Sequence, residues 1–331
     1  MNPHLALGDP ADGGVTDAGG HDGHDSHDSH DSHDGANVRG PWTHLRIADD
    51  PDRFSFALIS DRTGIARPGV FERGIAALNL LRPAFAIQLG DLIEGYADDD
   101  EVAAGWDEVD RILAPLDAPL FLVPGNHDVF DAASRDRWLS RHGRLHHHFR
   151  YKDVLFLVLD CQDPPPELSP RAREALANLP GYAARDPEAV RRMVETSIDW
   201  EGTQTMAALS EEQIAWAEGV IAENADVRWT FVLMHMPLWQ GEGHPAVHRI
   251  RTALGGRPHT MFAGHVHNYK AVDIDGNTHI RLGPTGGLWV KPHDDTGNFD
   301  HITWITMEAD GPHIANVTLE GLRDAQGRPL A

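Results

Sequence analysis

Six short apolar segments of this 331-residue chain each end in polar residues that can bind a metal ion. A single segment of this kind is unremarkable, but six in succession are hard to obtain by chance. The polar residues at these ends are Asp61, Asp91, Asn126-His127-Asp128, Asp160, His235 and His265-Val266-His267.

The types of these residues indicate which metals they would bind. Oxygen and imidazole ligands without a thiolate favour a divalent first-row metal or Mg²⁺ over a soft metal. One aspartate can bridge two ions while the other ligands divide between them. Two ions roughly 4 Å apart can hold a phosphate group, generate a hydroxide at neutral pH and stabilise the attacking and leaving oxygens. The residues therefore predict hydrolysis of phosphate esters.

The elements that must position these residues are buried strands. Continuous apolar runs of this length fit strands that are covered on both faces by helices. Between the early runs, VFERGIAALNLL and EVAAGWDEVDRILAPL have helical apolar spacing, which predicts repeated strand-helix units. In such sheets the ligand site lies beyond the carboxyl ends of the strands. The alternating segments after His267 carry Asp-Gly turns and predict antiparallel strands, so we expect one mixed α/β domain over residues 41–325.

Two segments depart from this pattern. Residues 1–40 are rich in Asp, His, Ser and Gly and contain too little apolar surface to offset the entropy of ordering, which predicts a disordered tail. The histidines that recur every three residues from His21 to His33 either collect a divalent cation or belong to a solvated spacer. Residues 163–206 interrupt the strand-helix rhythm and are expected to form a cap over the site.

Composition limits the partners and the location of the protein. A net charge of -23 without a cluster of Lys and Arg disfavours nucleic acid as a substrate. Cys161 is the only cysteine, so an intramolecular disulfide and a cysteine-based metal site are both excluded. No apolar run is long enough to cross a bilayer, and the N-terminus lacks the pattern of a signal peptide. We expect a cytoplasmic protein that acts on a small phosphorylated substrate and not on a membrane; the sequence predicts no oligomeric state.

The order of these motifs resembles that of the calcineurin-like metallophosphoesterases over about residues 54 to 290. The resemblance implies a four-layer αββα sandwich, in which two mixed β-sheets are flanked by helices and two divalent ions (Mn, Fe, Zn or Mg) lie at the strand ends. It rests on Asp61, Gly90-Asp91-x-x-Glu94, Gly125-Asn126-His127-Asp128, His235 and Gly264-His265-Val266-His267.

The resemblance also implies roles for individual residues. Asp61, Asp91 and His267 hold the first metal, and Asp91 bridges to the second. Asn126, His235 and His265 complete the second metal site. His127 faces the substrate, where it stabilises the transition state or acts as an acid toward the leaving oxygen. The family assigns no ligand at Asp160, which we interpret as a turn former.

One position departs from the family pattern of Asp-x-His, because Thr63 stands where a metal-ligating histidine is expected. Threonine is a weak neutral ligand, so we expect a weaker first site. A water or the Thr63 hydroxyl can fill the position, or Glu94 can supply a ligand. In a third alternative, which we favour, the Glu94 carboxylate orients His127, as an aspartate does in the protein phosphatase branch.

Arg62 is a further candidate, because a guanidinium beside the metals can bind a phosphate oxygen; an ordinary ion pair is the alternative. Taken together, the residues predict a metal-dependent phosphoesterase that uses a metal-activated hydroxide on a small phosphomonoester or phosphodiester. The alternative is a catalytically weakened family member that binds metal or a phosphorylated ligand, and Thr63 is the residue that motivates it.

Overall fold

The computed structural model describes residues 50–197, 206–289 and 297–330. The tail predicted over residues 1–40 lies outside the described residues. From Pro51 onward the chain forms one unit built on two mixed sheets.

The first sheet has five strands. They are β1 (Phe54–Ile59), β2 (Ala86–Gln88), β3 (Leu120–Leu122), β10 (His301–Glu308) and β11 (Gly311–Thr318). Their order is β11-β10-β1-β2-β3, with β1, β2 and β3 parallel and β10 and β11 antiparallel. The turn between the last two strands consists of Ala309 and Asp310, and Gly311 is the first residue of β11.

The second sheet has six strands. They are β4 (His147–Tyr151), β5 (Val154–Val158), β6 (Trp229–Leu233), β7 (His259–Ala263), β8 (Lys270–Ile274) and β9 (Asn277–Arg281). Their order is β4-β5-β6-β7-β9-β8, in which β5, β6, β7 and β9 are parallel and the two edge strands are antiparallel. The carboxyl ends of β5, β6 and β7 therefore meet at one edge of this sheet.

Seven α-helices belong to the described ranges. They are α1 (Val70–Leu81), α2 (Asp99–Leu113), α3 (Ala132–His142), α4 (Pro170–Arg185), α5 (Pro187–Ser197), α6 (Glu211–Glu223) and α7 (Pro245–Leu254). Ser210 is the N-cap of α6, and its side-chain oxygen accepts a hydrogen bond from the Gln213 backbone N–H.

Strand alternation places the core on both faces of each sheet. In β1, Phe56 and Leu58 pack between the sheets with residues of β5, β6 and β7, whereas Ala57 and Ile59 pack against α1, α2 and α3. In β5, Leu155 and Leu157 face α6 and α7 on the opposite side. Helices, sheet, sheet and helices therefore form four layers, and the predicted fold class is confirmed.

The interruption between β5 and α6 contains two helices, α4 and α5, within the segment expected to be a cap. Residues 198–205 of that segment lie outside the described residues. Across the described helices, none combines the length and apolar character needed to cross a bilayer.

Candidate metal centre

Five of the buried strands deliver the predicted ligands to one place. Asp61 follows β1, Asp91 follows β2 and Asn126 follows β3 in the first sheet, while His235 follows β6 and the His265-Val266-His267 triplet follows β7 in the second. Because the parallel strands of each sheet end at the same edge, residues far apart in sequence lie side by side there.

Two groups of ligand atoms form at this edge. The side chains of Asp91, His235 and His265 place one ligand atom each within 4.8 Å of one another, and those of Asp61, Asp91 and His267 do the same. Asp91 belongs to both groups. Carboxylates and imidazoles converging in this way fit a divalent metal, so the donor set suits the ions that the sequence predicts.

Asn126 joins the group that contains His235. Its amide oxygen lies 3.1 Å from Nε2 of His235, and its amide nitrogen donates to the Tyr96 hydroxyl at 3.0 Å. Tyr96 thus fixes which end of the amide faces the ligand cluster. All six predicted ligands therefore meet, and Tyr96 is an additional residue that sequence reasoning missed.

Backbone carbonyls orient two of the imidazoles. Nδ1 of His235 lies 2.7 Å from the Leu89 carbonyl oxygen, and Nδ1 of His267 lies 2.6 Å from that of Leu288. If each Nδ1 carries the proton and donates it, Nε2 is left as the metal-binding nitrogen.

The backbone at four ligand positions is held in the left-handed region. The φ angles are 49° at Asp61, 62° at Asp91, 71° at His265 and 56° at His267. Non-glycine residues adopt such angles only at a cost in conformational free energy. Residues with such angles cluster at functional sites, where the surrounding structure holds the backbone in place.

The glycines that precede the ligands provide the space for this packing. A Cβ on Gly90 would lie 2.5 Å from Nδ1 of His235, and one on Gly125 would lie 2.2 Å from Oδ1 of Asp91. Any side chain at these positions would displace a ligand, which explains the glycines in the Gly-Asp and Gly-Asn motifs.

Asp128 is a second residue whose role sequence reasoning missed. Its buried carboxylate accepts hydrogen bonds from the backbone of Asp91, Leu92, Ile93 and Gly125, so it ties the loop after β2 to the loop after β3. Burial and the nearby Asp91 charge raise the pKa of Asp128 to about 6. Its place as the last residue of the Gly-Asn-His-Asp motif is the signal by which it could have been found.

The charges of the site favour a cation. Burial acts to raise the pKa of Asp91, but His235 and His127 outweigh it, so the carboxyl stays ionised. Burial acts to lower the pKa of His235, but Asp91 and Asp61 raise it to about 9. His235 and His267 thus act as cationic partners that a bound metal ion would replace, whereas burial and the nearby His235 lower the pKa of His265 to about 3.

His127 lies at the edge of the cluster with its side chain 19% exposed. Nδ1 is 2.6 Å from the Glu94 backbone carbonyl, Nε2 is 4.0 Å from Oδ2 of Asp91, and the ring packs edge-on against Tyr96. The imidazole is therefore oriented with Nε2 directed to the ligand side.

Glu94 does not orient His127 in the way that we favoured from the sequence. Its carboxylate accepts hydrogen bonds from the backbone N–H of Ile65 at 3.1 Å and of Ala66 at 2.7 Å. The backbone carbonyl of Glu94, rather than the side chain, holds His127. The geometry also does not favour the alternative in which Glu94 supplies a metal ligand, because Glu94 belongs to neither of the two ligand groups.

Thr63 and Arg62 are likewise directed away from the ligand cluster. The Thr63 hydroxyl lies 3.0 Å from the Asp91 carbonyl and 2.7 Å from that of Ile93, so it is bound to backbone and not free to ligate. Arg62 is buried, donates to the Leu92 carbonyl and pairs with Glu108 at 2.8 Å. The ion-pair interpretation of Arg62 fits this geometry, and the phosphate-binding one does not.

Asp160 ends β5 but stays outside both ligand groups. Its carboxylate accepts from the Gln162 backbone at 2.8 Å and pairs with Arg135 at 3.3 Å. Burial raises its pKa to about 6. Asp160 is a structural residue that braces the turn after β5, as we expected.

Two mixed sheets flanked by helices, with carboxylates and imidazoles gathered at the strand ends, define the metal-dependent phosphoester hydrolase class. The chain belongs to the calcineurin-like phosphoesterases, whose family model matches residues 25–269.

Solved structures of the same fold are similar to this chain. PhoD is 13% identical, with 81% of this chain and 68% of that chain covered and a TM-score of 0.50. The purple acid phosphatase PPD1 from yellow lupin (Lupinus luteus) seeds is 12% identical, with 77% of this chain and 49% of that chain covered and a TM-score of 0.50. At this identity the likeness shows the fold alone. No curated protein matches the chain in sequence.

Proposed function

We propose that this protein hydrolyses a small phosphate ester at a pair of divalent ions held by Asp61, Asp91, Asn126, His235, His265 and His267. The observation that carries the proposal is that Asp91 belongs to both ligand groups. A shared carboxylate is the arrangement that holds two ions close enough to act on one phosphoryl group. When bound, the ions supply a nucleophile from water at neutral pH and offset charge on the phosphoryl oxygens.

The protein's own residues position the substrate and move a proton. Nε2 of His127 is directed to the ligand side of the site, because the Glu94 carbonyl holds the other ring nitrogen. A protonated Nε2 there can donate to the leaving oxygen as the phosphorus–oxygen bond breaks, which an alkoxide leaving group requires. His267 beside Asp61, and His235 with His127 beside Asp91, outweigh the effect of burial and keep both carboxylates ionised for the cations.

The test is turnover of bis(p-nitrophenyl) phosphate and p-nitrophenyl phosphate by chelator-treated protein, to which Mn²⁺, Mg²⁺, Zn²⁺ or Fe²⁺ is returned. We expect metal-dependent release of nitrophenolate that is strongly reduced in Asp91→Asn. Asp310→Asn is the matched control, because Asp310 is exposed and lies outside the cluster. Absence of turnover with every metal and both substrates would overturn the proposal.

A second function is favoured by Thr63 alone. Its hydroxyl is bound to backbone carbonyls, so it does not replace the missing imidazole. A family member that lacks this imidazole would bind metal or a phosphorylated ligand without efficient turnover. If Thr63→His creates activity that the wild-type protein lacks, binding is the function; if the wild-type protein is active, the hydrolase proposal stands.

A further inference from the structure

A chamber of about 410 Å³ opens directly over the ligand cluster. Its floor is formed by Asp91, Asn126, His127, His265 and His267. The volume falls in the range of sites that bind whole organic ligands, and is therefore more than a phosphoryl group alone requires. The remainder of the substrate must lie against the walls.

The walls of this chamber are apolar. One side comes from the cap, with α4 contributing two leucines, and the other side comes from the loops around the metal ligands. The main wall residues are Leu168, Leu176, Leu179, Met206, Met236 and Leu288. Burial of an apolar group of the substrate against such a wall is favourable, whereas a hydroxyl-rich sugar would find few hydrogen-bond partners there.

Arg and Lys side chains are absent from the described part of the chamber lining. Glu94 lines it, and its carboxylate is bound to the backbone of Ile65 and Ala66. Arg62 and Arg67 line a neighbouring cavity instead, where they pair with Glu108 and Asp300. A phosphomonoester carries one more negative charge than a diester at neutral pH, and the described lining offers no guanidinium to offset it.

The apolar wall is fixed to the metal site. Arg173 of α4 donates to the Tyr96 and Ala97 carbonyls at 3.1 and 3.0 Å, and it pairs with Asp131. Tyr96 is the residue that holds Asn126, so the cap helix is joined to the loop that supports the ligands.

A small apolar cluster joins the cap to the other side of the chamber. Leu179, Ala183 and Val190 pack with Leu288 and Ile65. Ile65 has a φ of 70°, an outlier for a β-branched residue, and Glu94 binds its backbone N–H. Strain of this kind persists where the surroundings impose it and is concentrated at functional positions.

We propose that the substrate is a phosphodiester that carries an apolar organic group, and that this group lies against α4 while the phosphoryl group lies over Asp91. This inference rests on the proposed hydrolase function. It follows from the continuity of the apolar chamber with the ligand floor and from the lack of Arg and Lys in the described lining.

The experiment uses p-nitrophenyl esters of methyl, butyl and hexyl phosphate, at concentrations below micelle formation, beside p-nitrophenyl phosphate. The oxygen of water forms a bond to phosphorus and the bond to nitrophenolate breaks, which leaves the alkyl phosphate and a coloured product. Burial of a methylene is worth about a threefold to fourfold change, so we expect kcat/KM to rise by about threefold per methylene. We expect the monoester to be the slowest substrate.

Variants locate the effect in the chamber. Leu179→Gln and Met206→Gln should lower the gain per methylene, and Met206→Gln is safe for folding because Met206 is 60% exposed. Leu139→Gln on α3 is the matched control, since Leu139 is exposed and does not line the chamber, and it should keep the wild-type dependence on chain length.

The outcomes separate this inference from the function on which it rests. Turnover that does not depend on chain length, or a monoester that is hydrolysed faster than all diesters, overturns the inference and leaves the hydrolase proposal intact. A chain-length dependence that neither chamber variant changes also overturns it. Failure to hydrolyse any diester or monoester with any metal overturns the proposed function, and this inference fails with it.

Discussion

The two ligand groups of the metal centre share Asp91 but differ in how completely the protein supplies them. The group with His235 and His265 also has the Asn126 oxygen, which Tyr96 holds in place. The group with Asp61 and His267 has Thr63 at the position of a family histidine, and that hydroxyl is bound to backbone. The scaffold can therefore keep one half of a metal site while the other half loses a ligand.

The loop after Thr63 lies close to the His267 ring. Gly64 has a φ of 71°, and a Cβ there would lie 2.6 Å from Cε1 of His267, so only glycine fits against this ring. The loop thereby packs directly on the remaining imidazole of the weaker half. We expect the Asp61 group to bind its ion less tightly than the His235 group.

The largest effect is expected for Asp91→Asn, because this residue serves both halves. Loss of both ions removes several kcal/mol of transition-state stabilisation, so kcat/KM for bis(p-nitrophenyl) phosphate should fall about 10³-fold or more. Steady-state kinetics with saturating Mn²⁺ measure this fall. Retention of more than a tenth of the activity would show that Asp91 does not join the two halves.

His127→Ala should follow, because it removes the proton donor and leaves both halves of the metal centre. We expect kcat to fall about 10²-fold for p-nitrophenyl esters and further for alkyl leaving groups, which need protonation more. Metal content should be unchanged, as plasma mass spectrometry can measure. His313→Ala, an exposed histidine paired with Asp310, is the control; an equal loss for good and poor leaving groups would argue against the acid role.

Tyr96→Phe should weaken only the half that contains Asn126. Without the hydroxyl, the Asn126 amide loses the partner at 3.0 Å that orients its oxygen. Loss of such a supporting hydrogen bond costs about 10-fold to 100-fold in metal affinity. Metal titration measures this affinity, and Tyr182→Phe on the exposed face of α4 is the control. An unchanged affinity would mean that Asn126 is held by other contacts.

Glu94→Gln tests the support of the other half, because the carboxylate binds the loop that follows Thr63 and Gly64. We expect less than a tenfold loss of kcat/KM and an unchanged pH profile, since the backbone carbonyl that holds His127 remains. The pH dependence of kcat/KM is the measurement. A large shift of the pH profile would restore the role that the sequence favoured, in which the carboxylate orients His127.

Asp160→Asn should affect stability and leave activity almost unchanged. The pKa of Asp160 is raised to about 6, so between pH 4 and 6 the folded protein binds more protons than the unfolded chain. Stability from this group is therefore present at low pH and lost as pH rises through about 6, by up to about 3 kcal/mol. Urea unfolding at several pH values should show this slope in the wild-type protein and a smaller one in Asp160→Asn, with and without chelator.

The strands and the six ligands could be predicted because each depends on local pattern and on one rule of sheet geometry. Apolar runs predict buried strands, and the parallel strands of one sheet end at a common edge, so Asp61 lies beside Asp91 although they are distant in sequence. No comparable rule gives the direction of a side chain. Arg62 turns to Glu108 on α2, and the Glu94 carboxylate turns to Ile65 and Ala66, because of contacts that exist only after folding.

The segment of residues 163–206, which we expect to be a cap, shows the same limit. Its helices were visible as an insertion between 163 and 206, but its composition indicated no substrate. The role that we propose for the α4 leucines becomes evident only in the folded protein. There Arg173 holds the helix beside Tyr96, and the leucines line the chamber over the ligand floor. Asp128 could have been found from its motif, whereas Tyr96 had no sequence signal beyond its nearness to Asp91.

The most direct test of the unequal halves is calorimetric titration of chelator-treated protein with Mn²⁺, for the wild-type chain and for His235→Ala and His267→Ala. The variants keep the N-terminal histidines, so any binding there is common to all three. We predict two site-specific binding events of unequal affinity, with the tighter one lost in His235→Ala and the weaker one lost in His267→Ala. Two equal affinities in the wild-type protein, or loss of the tighter event in His267→Ala, would contradict the account.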